Sequence, residues 1–468
     1  SIYGNTNISI ENLSYDSRKT KKNSIFFALE GKSFNGFDYI DESIKKGAIA
    51  ILCDSVPNKI NKRLVYVIVE DVGEALGIIS SNFYDNPSSN IKLIGITGTN
   101  GKTTSVTLLY NLFKDYNLSA GLISTISIEF NKTKLKSNYT TPDPIVLNST
   151  LKSMVDEGIS YCFMEVSSHG INQNRISGLK FYGAVFTNIS HDHLDYHKNF
   201  KNYRDTKKSF FDNLSKEAFA LTNIDDKNGL FMLQNTNAKK YTLSISKHAD
   251  FNLKISENLF SGMLLNYENH EFWTKLVGKF NALNILTVIA VSKILELDTI
   301  SILKKISKIN NVNGRFQIFN SNKKTKVIID YAHTPIALEN VLNTINEIRT
   351  KNENIITVVG CGGNRDKRKR PLMANKAASL SDKVIFTSDN PRNENPKKII
   401  KDMLKGVSPI DFKKIIQVTD REEAIMASER ISQPGDIVLI AGKGHENFQE
   451  INGNKNHFDD YEIVKKYF

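Results

Sequence analysis

A chain of 468 residues with 40% hydrophobic and 24% charged positions, and only 10 Pro, is too long for one core and too evenly mixed for a disordered or repeat protein. At about 100–200 residues per domain, three domains are expected. The balance of 62 Lys and Arg against 50 Asp and Glu gives +12, but the lysines are scattered and the densest run, Arg365 to Arg370, sits beside glycines, so no nucleic-acid partner is expected.

Residues 1–88 alternate strand-like runs (Ser24 to Leu29, Ala48 to Leu52, Val65 to Val69) with helical stretches, and the cluster Tyr84-Asp85-Asn86-Pro87-Ser88 marks a boundary. From Ile91 the runs Ile94 to Thr97, Tyr161 to Val166, Ala184 to Thr187 and Ala218 to Thr222 read as buried parallel strands of a doubly wound nucleotide-binding domain. After Asn313-Gly314-Arg315 a third series begins, with apolar runs at Val327 to Ile329, Ile355 to Val359, Val384 to Phe386 and Ile437 to Ile440. Ligands of open α/β sheets sit outside the carboxyl ends of the strands, so the loops 330–333, 360–365, 388–392 and 441–446 are expected to face a site. The expected domains are 1–88, 89–313 and 314–468.

Cys53, Cys162 and Cys361 are far apart, which excludes a disulfide framework and a Cys-x-x-Cys site and points to a reducing cytoplasm. No stretch reaches the roughly 18–20 apolar residues of a membrane span, and the first residues lack a signal pattern, so a soluble protein without membrane insertion is expected.

The most informative segment is Leu93 to Thr104, a short apolar strand running into Gly98-Thr99-Asn100-Gly101-Lys102-Thr103-Thr104. Gly98 and Gly101 let backbone N–H groups turn toward phosphate oxygens, Lys102 supplies a point charge, and Thr103 offers a hydroxyl to Mg²⁺. Glu165 closes a strand beside this loop, where a Mg²⁺ ligand is natural, although a surface carboxylate is the plainer alternative. The run His191-Asp192-His193-Leu194-Asp195-Tyr196-His197 superficially resembles a dinuclear zinc motif, but Tyr196 interrupts it. His191 and His197 are expected at the surface or in supporting positions. Spacing alone makes Lys207 and Lys208 a solvated basic face.

Together with Tyr15-Asp16-Ser17-Arg18, Thr140-Thr141-Pro142, Met164 to His169, Phe186-Thr187-Asn188, Gly278 to Asn284, Asp330 to Pro335 and Gly442 to Glu446, these motifs resemble the Mur ligase family over nearly the whole chain. The resemblance implies an α/β, three-domain architecture: an N-terminal α/β UDP-binding domain, a central P-loop doubly wound domain and a C-terminal Rossmann-like α/β domain. It implies ATP-dependent amide formation in peptidoglycan precursor synthesis. Lys102 would contact the ATP phosphates within the loop Gly98 to Thr104; Thr103 and Glu165 would hold one Mg²⁺. Glu165, His193 and a carbamylated Lys207 (N6-carboxylysine) would hold a second, which reverses the spacing-only reading of Lys207. Asn284 and Asp330 would take the adenine and ribose, with His333 nearby, and Arg315 would reach the transferring phosphate.

The resemblance also assigns Ser17, Thr140, Thr141, Ser168, Gln173 and Arg175 to the UDP-sugar peptide, UDP-N-acetylmuramoyl-L-alanyl-D-glutamate. Asp389-Asn390-Pro391-Arg392 is similar to the meso-diaminopimelate form of the family's acceptor signature, with Arg365, Gly442 and Glu446 at the far amino-acid end. A guanidinium fork suits the carboxylate that diaminopimelate has and lysine lacks. Acyl-phosphate chemistry on a closing monomer is implied. Asn313, Ile336, Arg368 and His191 stand where the family usually has Pro, Asp, Gly and Arg.

Overall fold

The computed structural model describes residues 1–31, 34–57 and 59–468. Three parallel-rich sheets follow one another along the chain. In the first, Val65–Ile68, Ala48–Cys53, Ser24–Phe27 and Asn12–Ser14 lie parallel in that order, with Ile2–Tyr3 antiparallel on the outer edge. Helix Val72–Phe83 follows, capped by Asp71, whose carboxylate accepts from Glu74 N at 2.8 Å. The same carboxylate accepts from Asn174 Nδ2 at 2.8 Å, tying this part to the next.

The second sheet has nine strands. Lys92–Thr97 lies centrally, with Tyr161–Glu165 on one side and Gly183–Phe186 on the other. Register decides what meets at its carboxyl edge: Glu165 is opposite Ile96 and Phe186 is opposite Thr97, so Glu165, the loop after Thr97 and Thr187 emerge together. Because the chain leaves Lys92–Thr97 toward Ala120–Ile123 and later returns on the opposite side, the loop sits at the topological switch point. Helix Lys102–Asp115 packs Val106, Leu109 and Phe113 against Ile285 and Ile289 of helix Lys279–Ile294. Phe210 and Phe211 join Leu147 and Leu151 on the other face. Each such fully buried side chain contributes about 1.5–3 kcal/mol.

A three-stranded antiparallel sheet, Lys254–Leu259, Gly262–Tyr267 and His270–Thr274, has no counterpart in the sequence-based expectations and buries Met263, Leu265 and Tyr267.

In the third large sheet Lys326–Asp330, Ile437–Ala441, Ile355–Cys361, Lys383–Ser388 and Ile415–Gln417 are parallel, with Gln317–Asn320 antiparallel at the edge. Asp330 is opposite Ala441 and Cys361 is opposite Ser388, which brings the four expected loops to one rim. Among the described residues no helix is long and apolar enough to cross a membrane.

Candidate active site

The carboxyl rims of the second and third large sheets face a shared cavity of about 390 Å³. On the nucleotide-loop side, Gly98 (φ 150°) could not carry a Cβ, which would lie 2.0 Å from Thr187 Oγ1; at Gly101 (φ 87°) it would lie 2.5 Å from Asn284 Oδ1. Gly101 precedes helix Lys102–Asp115 without any side-chain cap, which leaves first-turn N–H groups open to an anion. The loop is braced from a distant strand end: Thr187 Oγ1 donates to Asn100 O at 2.6 Å, and Asn188 Oδ1 accepts from Asn100 N at 3.0 Å. Thr187 and Asn188 were legible only as a motif, and their support of the loop carries no local signal.

Lys102 Nζ folds onto its own loop, donating to Gly98 O and Thr99 O, both at 2.9 Å. Burial lowers its pKa, which the charges of Glu165 and Asp192 oppose. Thr99, Asn100, Thr103 and Thr104 line the cavity, and Arg315 crosses from the third sheet to donate from Nη2 to Thr103 Oγ1 at 3.1 Å.

Glu165 is 1% exposed, not a surface carboxylate. Its Oε1 accepts from Thr125 N at 2.7 Å, while its buried Oε2 has no hydrogen-bond partner. An orphaned carboxylate oxygen beside a threonine hydroxyl and a phosphate-type loop fits a divalent cation. His193, at the cavity wall, lies 3.4 Å from Asp192 Oδ2, and the surrounding protein pushes its imidazole down to about 3. Burial works against ionisation of Asp192 too, but His193, His333 and Lys369 outweigh it and hold the carboxyl at about 2. Among the described residues no three His, Cys, Asp or Glu side chains form a metal cluster, the 191–197 run included.

The solvated face read from the spacing of Lys207 and Lys208 is corrected. They are 1% and 6% exposed, because helix Phe200–Asp212 turns this face toward the nucleotide loop and toward Phe231. Lys208 pairs with Asp212 at 2.6 Å. Lys207 Nζ donates to Gly98 O at 3.0 Å and lies over the Tyr203 ring at 4.9 Å. Burial, then the neighbouring Lys102, drives its pKa well below the usual lysine range.

Of the residues expected at the nucleoside, Asn284 lines the cavity and donates from Nδ2 to Asn281 Oδ1 at 3.1 Å. Asp330 accepts from Phe316 N at 2.7 Å and is raised by burial against the pull of Arg315. His333 also lines the cavity; its Nδ1 meets Tyr331 O at 2.9 Å, and burial lowers it to about 4.

On the opposite wall stand Arg365, Asp389, Asn390, Arg392, Gly442 and Glu446. Arg392 (φ 49°) is braced by the hairpin Phe448–Ile451 and Asn454–His457: its Nε donates to Glu450 Oε2 at 3.0 Å and its Nη1 to Gly363 O at 2.9 Å. Pro391 is off the cavity; its carbonyl lies where a Cβ on Gly363 would come within 1.9 Å.

The expected sugar-peptide residues are less united. Thr140 lines the cavity. Ser17 is in the first domain, donating to Glu42 Oε2 at 2.9 Å. Thr141 is fully buried and donates to Glu165 O at 2.9 Å, and Ser168 is 2% exposed with its hydroxyl 3.0 Å from His197 Nε2. The Thr141 hydroxyl holds the strand end, and the Ser168 hydroxyl meets the His197 ring. Arg175 donates to Thr141 O at 2.7 Å and to Gln173 Oε1, and lies 4.7 Å over the Tyr139 ring. The departures from family usage are accommodated locally: His191 Nε2 stands 3.9 Å from Asp366, Ile336 is partly exposed after the first helical Pro335, and Arg368 N donates to Asp366 Oδ1.

Comparison with known proteins matches the Mur ligase family catalytic domain over residues 9–84, the Mur ligase middle domain over 96–292 and the Mur ligase glutamate ligase domain over 314–444. A UDP-N-acetylmuramoyl-L-alanyl-D-glutamate–2,6-diaminopimelate ligase of Bacteroides thetaiotaomicron is 49% identical over 467 residues, covering 100% of this chain and 97% of the relative. Its namesake from Cytophaga hutchinsonii is also 49% identical, covering 100% and 96%. A solved structure of a ligase of that name superposes with TM-score 0.68 at 30% identity, covering 98% and 94% of the two chains. The Thermotoga maritima MurF ligase in complex with ADP shares the fold, with TM-score 0.64 at 20% identity and coverage of 97% and 96%. On the three domain matches and the full-length relatives, the chain belongs to the Mur ligase family.

Proposed function

We propose that this chain is the ATP-dependent amide ligase that adds meso-diaminopimelate to UDP-N-acetylmuramoyl-L-alanyl-D-glutamate in peptidoglycan precursor synthesis. The carrying observation is one cavity lined both by the nucleotide loop and by Asp389, Asn390, Arg392 and Glu446. The names of the full-length relatives support the same reading. Domains of 1–88, 89–313 and 314–468 fit the three sheets and the three matched stretches.

In this reading the D-glutamyl γ-carboxylate attacks the γ-phosphorus of ATP, expelling ADP and giving an acyl phosphate. The acceptor amine then attacks that carbonyl, and the tetrahedral species collapses to the amide with loss of phosphate and a proton. The nucleotide-loop N–H groups and Lys102 hold the phosphates, Arg315 faces the transferring group, and Asn284, Asp330 and His333 take the nucleoside. Bound Mg²⁺, as two ions, supplies charge compensation on the phosphoryl group; Thr103 and Glu165 would hold one, and Glu165, His193 and carbamylated Lys207 the other. A buried amine at Lys207 whose pKa is driven down by burial fits carbamylation, in which nitrogen adds to the carbon of CO₂ and sheds a proton.

Ser17, Thr140, Thr141, Ser168, Gln173 and Arg175 would receive the UDP-sugar peptide. Arg392 and Arg365 would meet the distal carboxylate of diaminopimelate; the Arg392 bonds to Glu450 and Gly363 use Nε and one Nη1 hydrogen, which leaves both Nη2 hydrogens to donate. Lysine would leave that cationic wall unanswered. A monomer is the expected state, and three free buried thiols fit the cytoplasm. The test is product mass: with Mg-ATP and both substrates, a UDP-muramoyl-tripeptide carrying diaminopimelate is expected, and its absence overturns the proposal.

A further inference from the structure

Lys443 lies where the three segments facing the amino-acid end converge, yet its side chain is wholly buried. Its ammonium donates to Phe448 O at 2.5 Å, Glu446 Oε2 at 3.2 Å and Asn390 Oδ1 at 3.3 Å, with Asp389 Oδ1 at 3.9 Å. The three donors of an ammonium are thus spread over the 388–392 loop, the 442–446 loop and the 448–457 hairpin. Asn390 closes the network: its Nδ2 donates to Glu446 Oε2 at 2.8 Å, and its Oδ1 also accepts from Glu450 N at 2.9 Å. With a buried cation and a backbone N–H both demanding an acceptor, the Asn390 amide cannot flip, and its NH₂ must face Glu446.

The geometry points to Lys443 as the positioning residue of the acceptor site, a buried ammonium that fixes the side chains of Asn390 and Glu446 so that amide and carboxylate meet the charged end of the incoming amino acid already oriented. This rests on the reading of the 389–392 and 442–446 loops as the diaminopimelate site. Side chains locked by their surroundings need no reordering when ligand arrives, and that saving appears in ligand affinity rather than in the chemical step.

The charge of Lys443 matters beside its donors. The groups facing Glu446 are Lys443, Asp389, Asn390, the Tyr331 hydroxyl at 3.4 Å and, behind them, Arg421 in its buried pair with Asp460. Burial and Asp389 raise the Glu446 carboxyl, and Lys443 is the cation opposing them. Without it, Glu446 would go further up and protonate sooner as pH falls, losing the charge that attracts a substrate ammonium.

The test is Lys443→Met in the full chain, assayed for all three substrates. The KM for diaminopimelate is expected to rise on the order of tenfold to a hundredfold, the range of one lost charge-assisted contact. The rise should grow as pH is lowered, while the KM values for ATP and the UDP-dipeptide stay near wild type. Should this variant not fold, Lys443→Gln, which keeps a donor without the charge, is expected to show the same split. An unmoved diaminopimelate KM, a parallel rise in all three, or a fall in kcat alone overturns the assignment. A wild type that ignores diaminopimelate removes the acceptor reading itself, and the assignment with it.

Discussion

Glu165→Gln separates a structural carboxylate from a metal ligand, because the two roles predict opposite signs. In the free protein Oε1 is satisfied by Thr125 N, whereas the buried Oε2 has no partner, and such an unmade hydrogen bond costs about 1–3 kcal/mol. The amide keeps the bond to Thr125 and discards a buried negative charge. The thermal midpoint of the free variant should therefore be unchanged or higher. Nucleotide linkage should move the other way. Mg-ADP at about a hundred times its dissociation constant stabilises wild type by about 2.7 kcal/mol. For a domain of this size each kcal/mol is worth roughly 2–4 °C, so wild type should gain roughly 5–10 °C. Scanning fluorimetry of both proteins, with Mg-ADP and with ADP plus chelator, reads this directly. Glu165→Gln should lose most of the Mg-dependent gain. A variant that is destabilised when free and keeps the full Mg-ADP gain would refute the metal role.

The other predictions concern buried charge. Arg421 and Asp460 are both 0% exposed and bonded twice at 2.8 Å, so Arg421→Met or Asp460→Asn should each cost about 3–5 kcal/mol in urea unfolding. The double variant Arg421→Met/Asp460→Asn should cost less than the sum, and strict additivity would contradict the pairing. His333 and His445 are held down to about 4 and about 3, burial being the first cause in each. Their stabilisation is complete above about pH 6.5, where the unfolded imidazoles are also neutral, and is lost as pH falls toward 4 and then 3. Thermal midpoints from pH 7.5 to 4.5 should fall, less steeply in His445→Asn; an equal slope in that variant would count against the assignment. The buried Lys207 amine should yield a carbamate resonance in ¹³C-bicarbonate NMR that disappears in Lys207→Met, and an unchanged spectrum would exclude the modification at this residue.

The nucleotide loop was legible because its signal is local: two glycines at positions where a Cβ collides, then Lys and Thr at a helix start. The four loops of the third sheet were legible because each apolar run ends abruptly in polar residues at the carboxyl edge. What escaped depends on distance in the chain. Nothing near Lys207 announces that its amine will reach Gly98 O, 109 residues away. The inward turn of Ser168 follows from His197, 29 residues on, and the bracing of Asn100 from Thr187, 87 residues on. Lys443 reads locally as part of a glycine-rich loop, and its burial arises only when the Asp389 loop and the 448–457 hairpin close over it. The 254–274 sheet was missed although Met263, Leu265 and Tyr267 alternate inward at the period of a half-buried strand.

The most direct test is phosphate release from Mg-ATP in the presence of UDP-N-acetylmuramoyl-L-alanyl-D-glutamate, with meso-diaminopimelate or L-lysine supplied in parallel to wild type and Arg392→Ala. Release with diaminopimelate and not lysine, lost in Arg392→Ala, is the predicted result. Release with lysine in place of diaminopimelate would contradict the role given to Arg392, and release with neither would contradict the proposed reaction.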